Sequence, residues 1–162
     1  MPGRLSSVSV VVRLAKVVEI VLDAVGLTPN QYRMMTLIET GVTSMRELSV
    51  RLVMKSPNIT TLIDGLVRQG LVMRSRDADD RRRQVLELTA GGRRVLRDAE
   101  RRCDEALDRL AALASDPHAR LVSSLTDWLP ALDQAAVDLR AAVTPRRQTA
   151  GQARRVKSPR AS

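Results

Sequence analysis

The most constraining feature of this sequence lies between residues 56 and 89, where one amphipathic helix leads directly into a short hairpin. The apolar positions of the helix recur at the spacing of a single face, and Gly70 follows them as a C-terminal cap. These positions are Ile59, Leu62, Ile63, Leu66 and Val67. Residues 71–76 and 83–88 then roughly alternate apolar and polar side chains around Asp77-Ala78-Asp79-Asp80, which predicts two strands and a turn. Such a helix beside an arginine-rich hairpin is suited to holding duplex DNA at two places.

The chain is predicted to begin with two helices. Residues 7–25 carry apolar side chains at helical spacing, although their valine-rich start would suit a strand by propensity alone. Thr28, Pro29 and Gln31 combine an N-cap, a proline at the first helical position and a capping box. A second helix is therefore expected from this point to Gly41.

Two further helix starts follow the same logic. Ser44 and Glu47 form the pattern of a capping box, which opens a short helix. Ser56 and Pro57 repeat the order of cap and proline at the start of the amphipathic helix. A four-residue turn separates the short helix from the amphipathic helix. The amphipathic helix would present its polar face to solvent.

Two long helices are predicted after the hairpin. Thr89 is the expected cap of the first, and Asp116-Pro117 is expected to open the second. Pro130 interrupts the apolar stripe of the second helix, which predicts a kink or a break. Residues 144–162 have almost no large apolar side chain and are expected to form a disordered tail.

Length and charge limit the possible classes of protein. A chain of 162 residues suits one domain with extensions. Its 27 Lys and Arg against 18 Asp and Glu give a formal charge of +9, and six of the cations lie in the last 19 residues, where there is no acid. The positive potential of the folded part must therefore come from local clustering, as in residues 68–83.

The rarer residue types exclude several functions. Cys103 is the single cysteine and His118 the single histidine, so neither an intramolecular disulfide nor a metal site of thiols and imidazoles is expected. The apolar start of the chain is too short to span a membrane, and a cytoplasmic location is expected. With only Tyr32 and Trp128 as aromatic residues, stacking on single-stranded nucleic acid is disfavoured.

The order of these elements and five local motifs resemble the MarR family of winged-helix transcriptional regulators over residues 8–142. The motifs are L-T-P-N-Q-Y at 27–32, S-M-R-E-L at 44–48, L-I-D-G-L-V-R-Q-G-L-V at 62–72, D-A-D-D-R-R at 77–82 and L-T-A-G-G at 88–92. The resemblance implies a homodimer on a palindromic DNA operator, which usually represses genes near its own and is often released by a small-molecule effector.

The fold expected from this resemblance is mainly α with a small β-wing, a winged helix-turn-helix domain flanked by N- and C-terminal dimerisation helices. The expected division is a dimerisation helix at 1–27, the DNA-binding domain at 28–89, dimerisation helices at 90–143 and the basic tail at 144–162. Apolar stripes on the terminal helices favour burial against a second copy, although packing within one chain is the alternative.

The DNA-binding residues are expected on the amphipathic helix and on the hairpin, which forms the wing. The helix candidates are Ser56, Pro57, Asn58, Thr60, Thr61 and Arg68. Asn58 and Thr61 are the candidates for base contacts, and the alternative for this face is simple solvation. Gly65 occupies a position where the family commonly has a charged residue. A glycine there either weakens a contact with a DNA phosphate or allows the DNA to approach the helix closely.

On the wing, Asp80 and Arg82 match the family's Asp-x-Arg, in which the arginine enters the minor groove and the aspartate orients it. Arg81 and Arg83 would then contact phosphates. Arg74 and Arg76, on the first wing strand, are further candidates for backbone contacts. A charge run is otherwise a solvated surface, and its position after a capped helix tilts the balance toward DNA.

Ligand binding is a separate prediction. In the family, small aromatic acids often bind between the dimer helices and the DNA-binding domain, and Tyr32, Met34, Met35 and Trp128 could line such a cleft. The alternative is that these side chains belong to the core. Cys103 falls in the middle of a predicted helix on its apolar stripe and is therefore expected to be a small buried side chain. Redox-sensing members of the family carry their cysteine near the start of the first helix, so their mechanism is not expected here.

The sequence thus predicts a dimeric, sequence-specific DNA-binding repressor that needs no cofactor. A general architectural protein, attracted to DNA mainly by its basic tail, is the alternative, and an interaction adaptor is a third class. An enzyme is the least favoured class, because no nucleophile with a base, carboxylate pair or phosphate-binding glycine loop is recognisable.

Overall fold

A computed structural model describes residues 7–76 and 84–113, together with scattered positions between 127 and 138. The described elements, in chain order, are α1 (Ser7–Asp23), α2 (Pro29–Glu39), α3 (Met45–Arg51), α4 (Ser56–Arg68), β1 (Val72–Arg76), β2 (Gln84–Leu88) and α5 (Ala90–Leu113). The fold is mainly helical with one two-stranded antiparallel sheet, as predicted. The predictions for the hairpin turn, for the helix start at Asp116, for Pro130 and for the basic tail lie outside the described residues.

The cap predicted for α2 is confirmed. The Thr28 hydroxyl accepts a hydrogen bond from the Gln31 backbone N–H at 3.2 Å, and Gln31 Oε1 accepts one from the Thr28 N–H at 2.8 Å. Only half of the box predicted for α3 forms. Ser44 Oγ accepts from the Glu47 N–H at 3.2 Å, whereas the Glu47 carboxylate accepts from Arg51 Nε at 3.0 Å. An ion pair one turn along the helix replaces the reciprocal cap bond.

The predicted N-cap of α4 is wrong by one residue. The cap is Lys55, which has an extended backbone and no capping side-chain bond, and Ser56 is already helical. The Lys55 carbonyl accepts from the N–H groups of Asn58 and Ile59 at 3.0 and 3.2 Å. Because backbone oxygen satisfies both of these donors, a hydroxyl cap is not required here.

The predicted role of Gly70 at the other end of α4 is confirmed. Gly70 has φ of 68° and follows the C-cap residue Gln69. Its N–H donates to the Val67 carbonyl at 2.9 Å, and the Leu71 N–H donates to the Leu66 carbonyl at 3.0 Å. This pair of bonds is a Schellman motif, which needs a left-handed residue between helix and strand.

The turn between α3 and α4 has the same geometry but lacks the glycine. Val53 has φ of 56°, a conformation that costs a β-branched residue free energy. Its N–H donates to the Val50 carbonyl, and the Met54 N–H donates to the Ser49 carbonyl, both at 3.0 Å. Two local hydrogen bonds thus hold valine in a left-handed conformation.

Replacing Val53 by glycine is expected to raise the free energy of unfolding by about 1 kcal/mol, because glycine adopts positive φ without a steric penalty. Urea unfolding followed by circular dichroism would measure this change. The matched control is Val50→Gly, because Val50 is an exposed residue within a helix. This substitution should instead lower the free energy of unfolding by about 0.5 kcal/mol. A Val53→Gly protein that is less stable than the parent would contradict this account of the turn.

The hydrophobic core lies where the five described helices and the sheet meet. Its fully buried members include Leu22, Met34, Met35, Leu48, Ile59, Ile63 and Leu66. Thr89 caps α5 as predicted, because its hydroxyl accepts from the Gly92 N–H at 2.9 Å and donates to the Gly70 carbonyl at 2.7 Å. The start of α5 is therefore joined directly to the end of α4.

Candidate nucleic-acid interface

The amphipathic character of α4 decides which of its side chains face solvent. Ile59, Ile63 and Leu66 are completely buried in the core, as the apolar stripe predicted. The predicted DNA contacts of the first two turns are all exposed. They are Ser56, Pro57, Asn58, Thr60 and Thr61. Burial of one face thus presents the other as a continuous polar surface, and Arg68 is exposed at its far end.

The two threonine hydroxyl groups of this surface already donate their protons to backbone carbonyls. Thr60 Oγ1 donates to the Ser56 carbonyl at 3.2 Å, and Thr61 Oγ1 donates to the Pro57 carbonyl at 3.0 Å. Because each hydroxyl proton is already used within the helix, the oxygens are left as acceptors. Acceptors at these positions suit the amino groups of adenine and cytosine in the major groove. Asn58 has no side-chain hydrogen bond to any described residue, so its amide can both donate and accept.

The hairpin is anchored in the core by alternate residues. β1 and β2 pair antiparallel from Val72 opposite Leu88 to Arg76 opposite Gln84, and Val72, Leu86 and Leu88 are buried. The pairing therefore starts at the core and ends where residues 77–83 connect the strands. Those connecting residues, with the predicted contacts Asp80, Arg81, Arg82 and Arg83, lie outside the described residues, and their roles remain predictions.

The first wing strand is tied to α4 by an ion pair. Arg74 Nη2 lies 2.5 Å from Asp64 Oδ1, and the two side chains are 42% and 44% exposed. An ion pair this exposed contributes little to stability, so its consequence is to orient the wing relative to α4. The sequence predicted that Arg74 contacts phosphate and gave no local signal for its pairing with Asp64, which lies ten residues earlier on α4. Arg76 is exposed at the end of the strand, as a backbone contact requires.

A shallow groove lies between the polar face of α4 and the start of α2. Its lining residues are Thr28, Gln31, Met54, Asn58, Thr61, Leu62 and Gly65. Gln31 Nε2 also donates to Gln69 Oε1 at 3.3 Å, which links α2 to the end of α4. The contribution of Thr28 and Gln31 was not foreseen, because nothing in the sequence indicates that the α2 start lies alongside α4.

The model of the MarR family matches residues 25–83, from the end of the first helical region through the wing. A MarR-family regulator from Rhodococcus has a solved structure that is 28% identical, with a TM-score of 0.62 over 76% of this chain and 86% of that one. Both comparisons thus show that the chain is similar to MarR-family regulators. It has the family's DNA-binding fold and is similar to transcriptional regulators rather than to enzymes.

Two curated relatives and one solved regulator show the extent of this similarity. The regulator FarR of Neisseria gonorrhoeae is 25% identical over 116 residues, which are 71% of this chain and 80% of FarR. YhbI of Bacillus subtilis is 33% identical over 85 residues, or 52% of this chain and 55% of YhbI. CouR of Rhodococcus jostii, bound to p-coumaroyl-CoA, is 27% identical with a TM-score of 0.61 over 76% of this chain and 86% of CouR. CouR has also been solved on a 23-mer DNA duplex.

The four residues predicted to line a MarR-type ligand cleft lie in different environments. Met34 and Met35 are completely buried in the core, which favours the core alternative for both. Tyr32 is half-buried, and its pKa is raised by burial and then by the nearby Glu100. Trp128 is 65% exposed. Only Tyr32 and Trp128 therefore have the exposure that contact with a ligand requires.

Cys103 packs against the core on α5, as predicted, but it is half-buried rather than fully buried. Burial raises the pKa of its thiol, and the neighbouring Asp104 and Glu100 raise it further. A raised pKa keeps the thiol protonated and therefore unreactive near neutral pH. Among the residues that the structure describes, no group of three or more metal-binding side chains occurs, and no helix is long and apolar enough to cross a membrane.

Proposed function

We propose that this MarR-family protein is a homodimeric, sequence-specific regulator that binds a palindromic operator and represses genes near its own. The observation that carries the proposal is the exposed polar face of α4, held outward by three completely buried side chains beside a basic hairpin. In such a unit, α4 would contact base edges and the wing would contact the flanking backbone or minor groove. CouR, which shares this fold, has been solved on duplex DNA.

Support for the homodimer comes from α1. Val8, Val10, Val11 and Val12 are 58% to 67% exposed, so this helix has an apolar surface that the single chain leaves in water. A contiguous apolar surface on one helix is typical of an interface. A two-fold dimer would place two copies of α4 on successive major grooves, which is the geometry that reads a palindrome.

The proposal is tested with DNA from upstream of the protein's own gene. Footprinting should show a protected near-palindrome, and a scrambled duplex should compete poorly with it. The binding free energies of the operator and of the scrambled duplex differ in the parent. Asn58→Ala should reduce this difference by about 1–3 kcal/mol, because a bidentate base contact is lost. Asn30→Ala is the matched control, since Asn30 is an exposed amide at the start of α2 and does not line the groove.

Two outcomes would contradict specific binding. If the scrambled duplex competes equally and removal of residues 144–162 abolishes most of the affinity, the protein is an architectural DNA binder instead. If no duplex is bound at low salt, it is an interaction adaptor. For a specific regulator, the truncated chain keeps its operator preference, while log K falls with log salt at about 0.9 per neutralised phosphate.

The proposal also includes release by a small effector in the cytoplasm. CouR binds p-coumaroyl-CoA, which makes aromatic acids and their thioesters the first class to test. Addition of p-coumaroyl-CoA or of free aromatic acids to the operator complex should lower DNA binding if this class acts. If DNA binding is unchanged by p-coumaroyl-CoA and by every aromatic acid tested, compounds of this class are not the effectors.

A further inference from the structure

Nothing in the described part of the chain requires a glycine in the middle of α4. Gly65 lies within the helix, and its backbone has no positive φ, unlike that of Gly26, Gly41 and Gly70. A Cβ built at Gly65 meets no atom within 4 Å. The described chain therefore has both the backbone conformation and the space for a side chain at this position.

Glycine nevertheless has a cost here. In a helix interior it is the least favourable residue after proline, because it loses the most backbone entropy on folding. The absence of a side chain at Gly65 thus lowers stability and relieves no contact with the residues that the structure describes. A molecule that approaches α4 from outside would benefit from the missing side chain.

The position of Gly65 indicates what approaches it. Gly65 lies in the same shallow groove as Asn58 and Thr61 and is half-buried between them and the start of α2. Seven residues separate Asn58 from Gly65, which corresponds to about 10 Å along the helix axis. The major groove is about 8.5 Å deep. We assume that α4 enters the major groove with its N-terminus and that Asn58 contacts base edges there. Gly65 would then lie level with the edge of the groove, where the sugar–phosphate backbone runs.

We propose that Gly65 is the point at which the DNA sugar–phosphate backbone packs directly against α4, in the groove between α4 and α2. This inference rests on the proposed function and adds a positioning contact to it. A bare helix surface at Gly65 would let the strand approach to van der Waals distance, and the polar Thr28 and Gln31 border the same groove. A methyl group at this position would hold the strand further from the helix surface.

The test is Gly65→Ala, measured both for stability and for binding to duplex DNA. The variant should melt about 3 °C higher, because alanine favours the helix and has room. Its affinity should nevertheless fall about tenfold. The loss should be similar for the operator and for a scrambled duplex, because backbone contacts carry no sequence information. Gain of stability together with loss of binding is a combination that a merely structural role would not produce.

Gly91→Ala provides the matched control. Gly91 is also helical, an added Cβ there has its nearest contact at an ordinary 3.4 Å, and it lies on α5 outside the groove. This variant should bind duplex DNA as the parent does. If Gly65→Ala binds duplex DNA as well as the parent or better, the inference is wrong. It is also wrong if affinity is lost for the operator alone, because a base edge would then approach Gly65 instead of the backbone. A parent protein that binds no duplex at all would overturn the proposed function together with this inference.

Discussion

Replacing Gly92 by alanine is expected to lower the free energy of unfolding by about 3 kcal/mol or more. A Cβ at Gly92 would lie 2.0 Å from the Leu71 carbonyl oxygen and 2.9 Å from the Leu71 carbonyl carbon. That carbonyl cannot easily move, because it accepts from the Thr89 N–H at 3.0 Å, while the Leu71 N–H donates to Leu66 at 3.0 Å. The methyl group must therefore push α5 away from the strand that follows α4.

Gly91→Ala distinguishes this clash from a general intolerance of alanine at the start of α5. Gly91 precedes Gly92 directly, and its added Cβ would make only ordinary contacts. Alanine at Gly91 should therefore leave stability unchanged or raise it by about 0.5 kcal/mol. Urea unfolding of the two variants at equal protein concentration makes the comparison. Similar stabilities for both would show that the close packing of Gly92 on Leu71 is not what holds α5.

Replacing Val11 or Val12 by glutamate is expected to convert the proposed dimer into monomers. Both side chains are 63% exposed and line an apolar groove along α1, so neither glutamate should unfold the single chain. Burying a carboxylate without a partner in an apolar interface costs several kcal/mol, and each interface would contain the substitution twice. Operator affinity should fall by about 100-fold or more, because the two half-sites would no longer be bound together.

Sedimentation equilibrium gives the mass, and circular dichroism checks that the helices remain. The matched control is Val50→Glu on α3, where the valine is 52% exposed but lies outside the α1 groove. That variant should stay dimeric. A dimer that persists in both α1 variants would place the subunit interface on another surface of the protein.

The elements of the fold were largely predictable because their signals are local. The helical spacing of apolar residues in α4, the Thr28–Gln31 box, the Thr89 cap and the left-handed Gly70 all depend on neighbours within one or two turns. The structure bears each of them out. The exposed face of the candidate DNA interface followed from the same periodicity, since burial of Ile59 and Ile63 fixes which side of α4 faces solvent.

The contacts that join the elements were beyond local signals. The L-T-A-G-G motif was noticed as a pattern, yet only the packing of α5 shows why Gly92 cannot carry a side chain. Likewise, Asp64 and Arg74 are ten residues apart, and their ion pair depends on how the wing folds back toward α4. Met34 and Met35 could be assigned to a cleft or to the core from spacing alone, and their burial decided for the core.

By itself, the sequence determined the order of helices and strands, the ends of most of them and the polar surface that α4 presents. Tertiary structure decided the first residue of α4, the partner of Arg74 and the closeness of Gly92 to Leu71. The physical reason is the range of the interactions. Helix periodicity and capping act within a few residues, whereas packing distances between elements depend on how the whole core is filled.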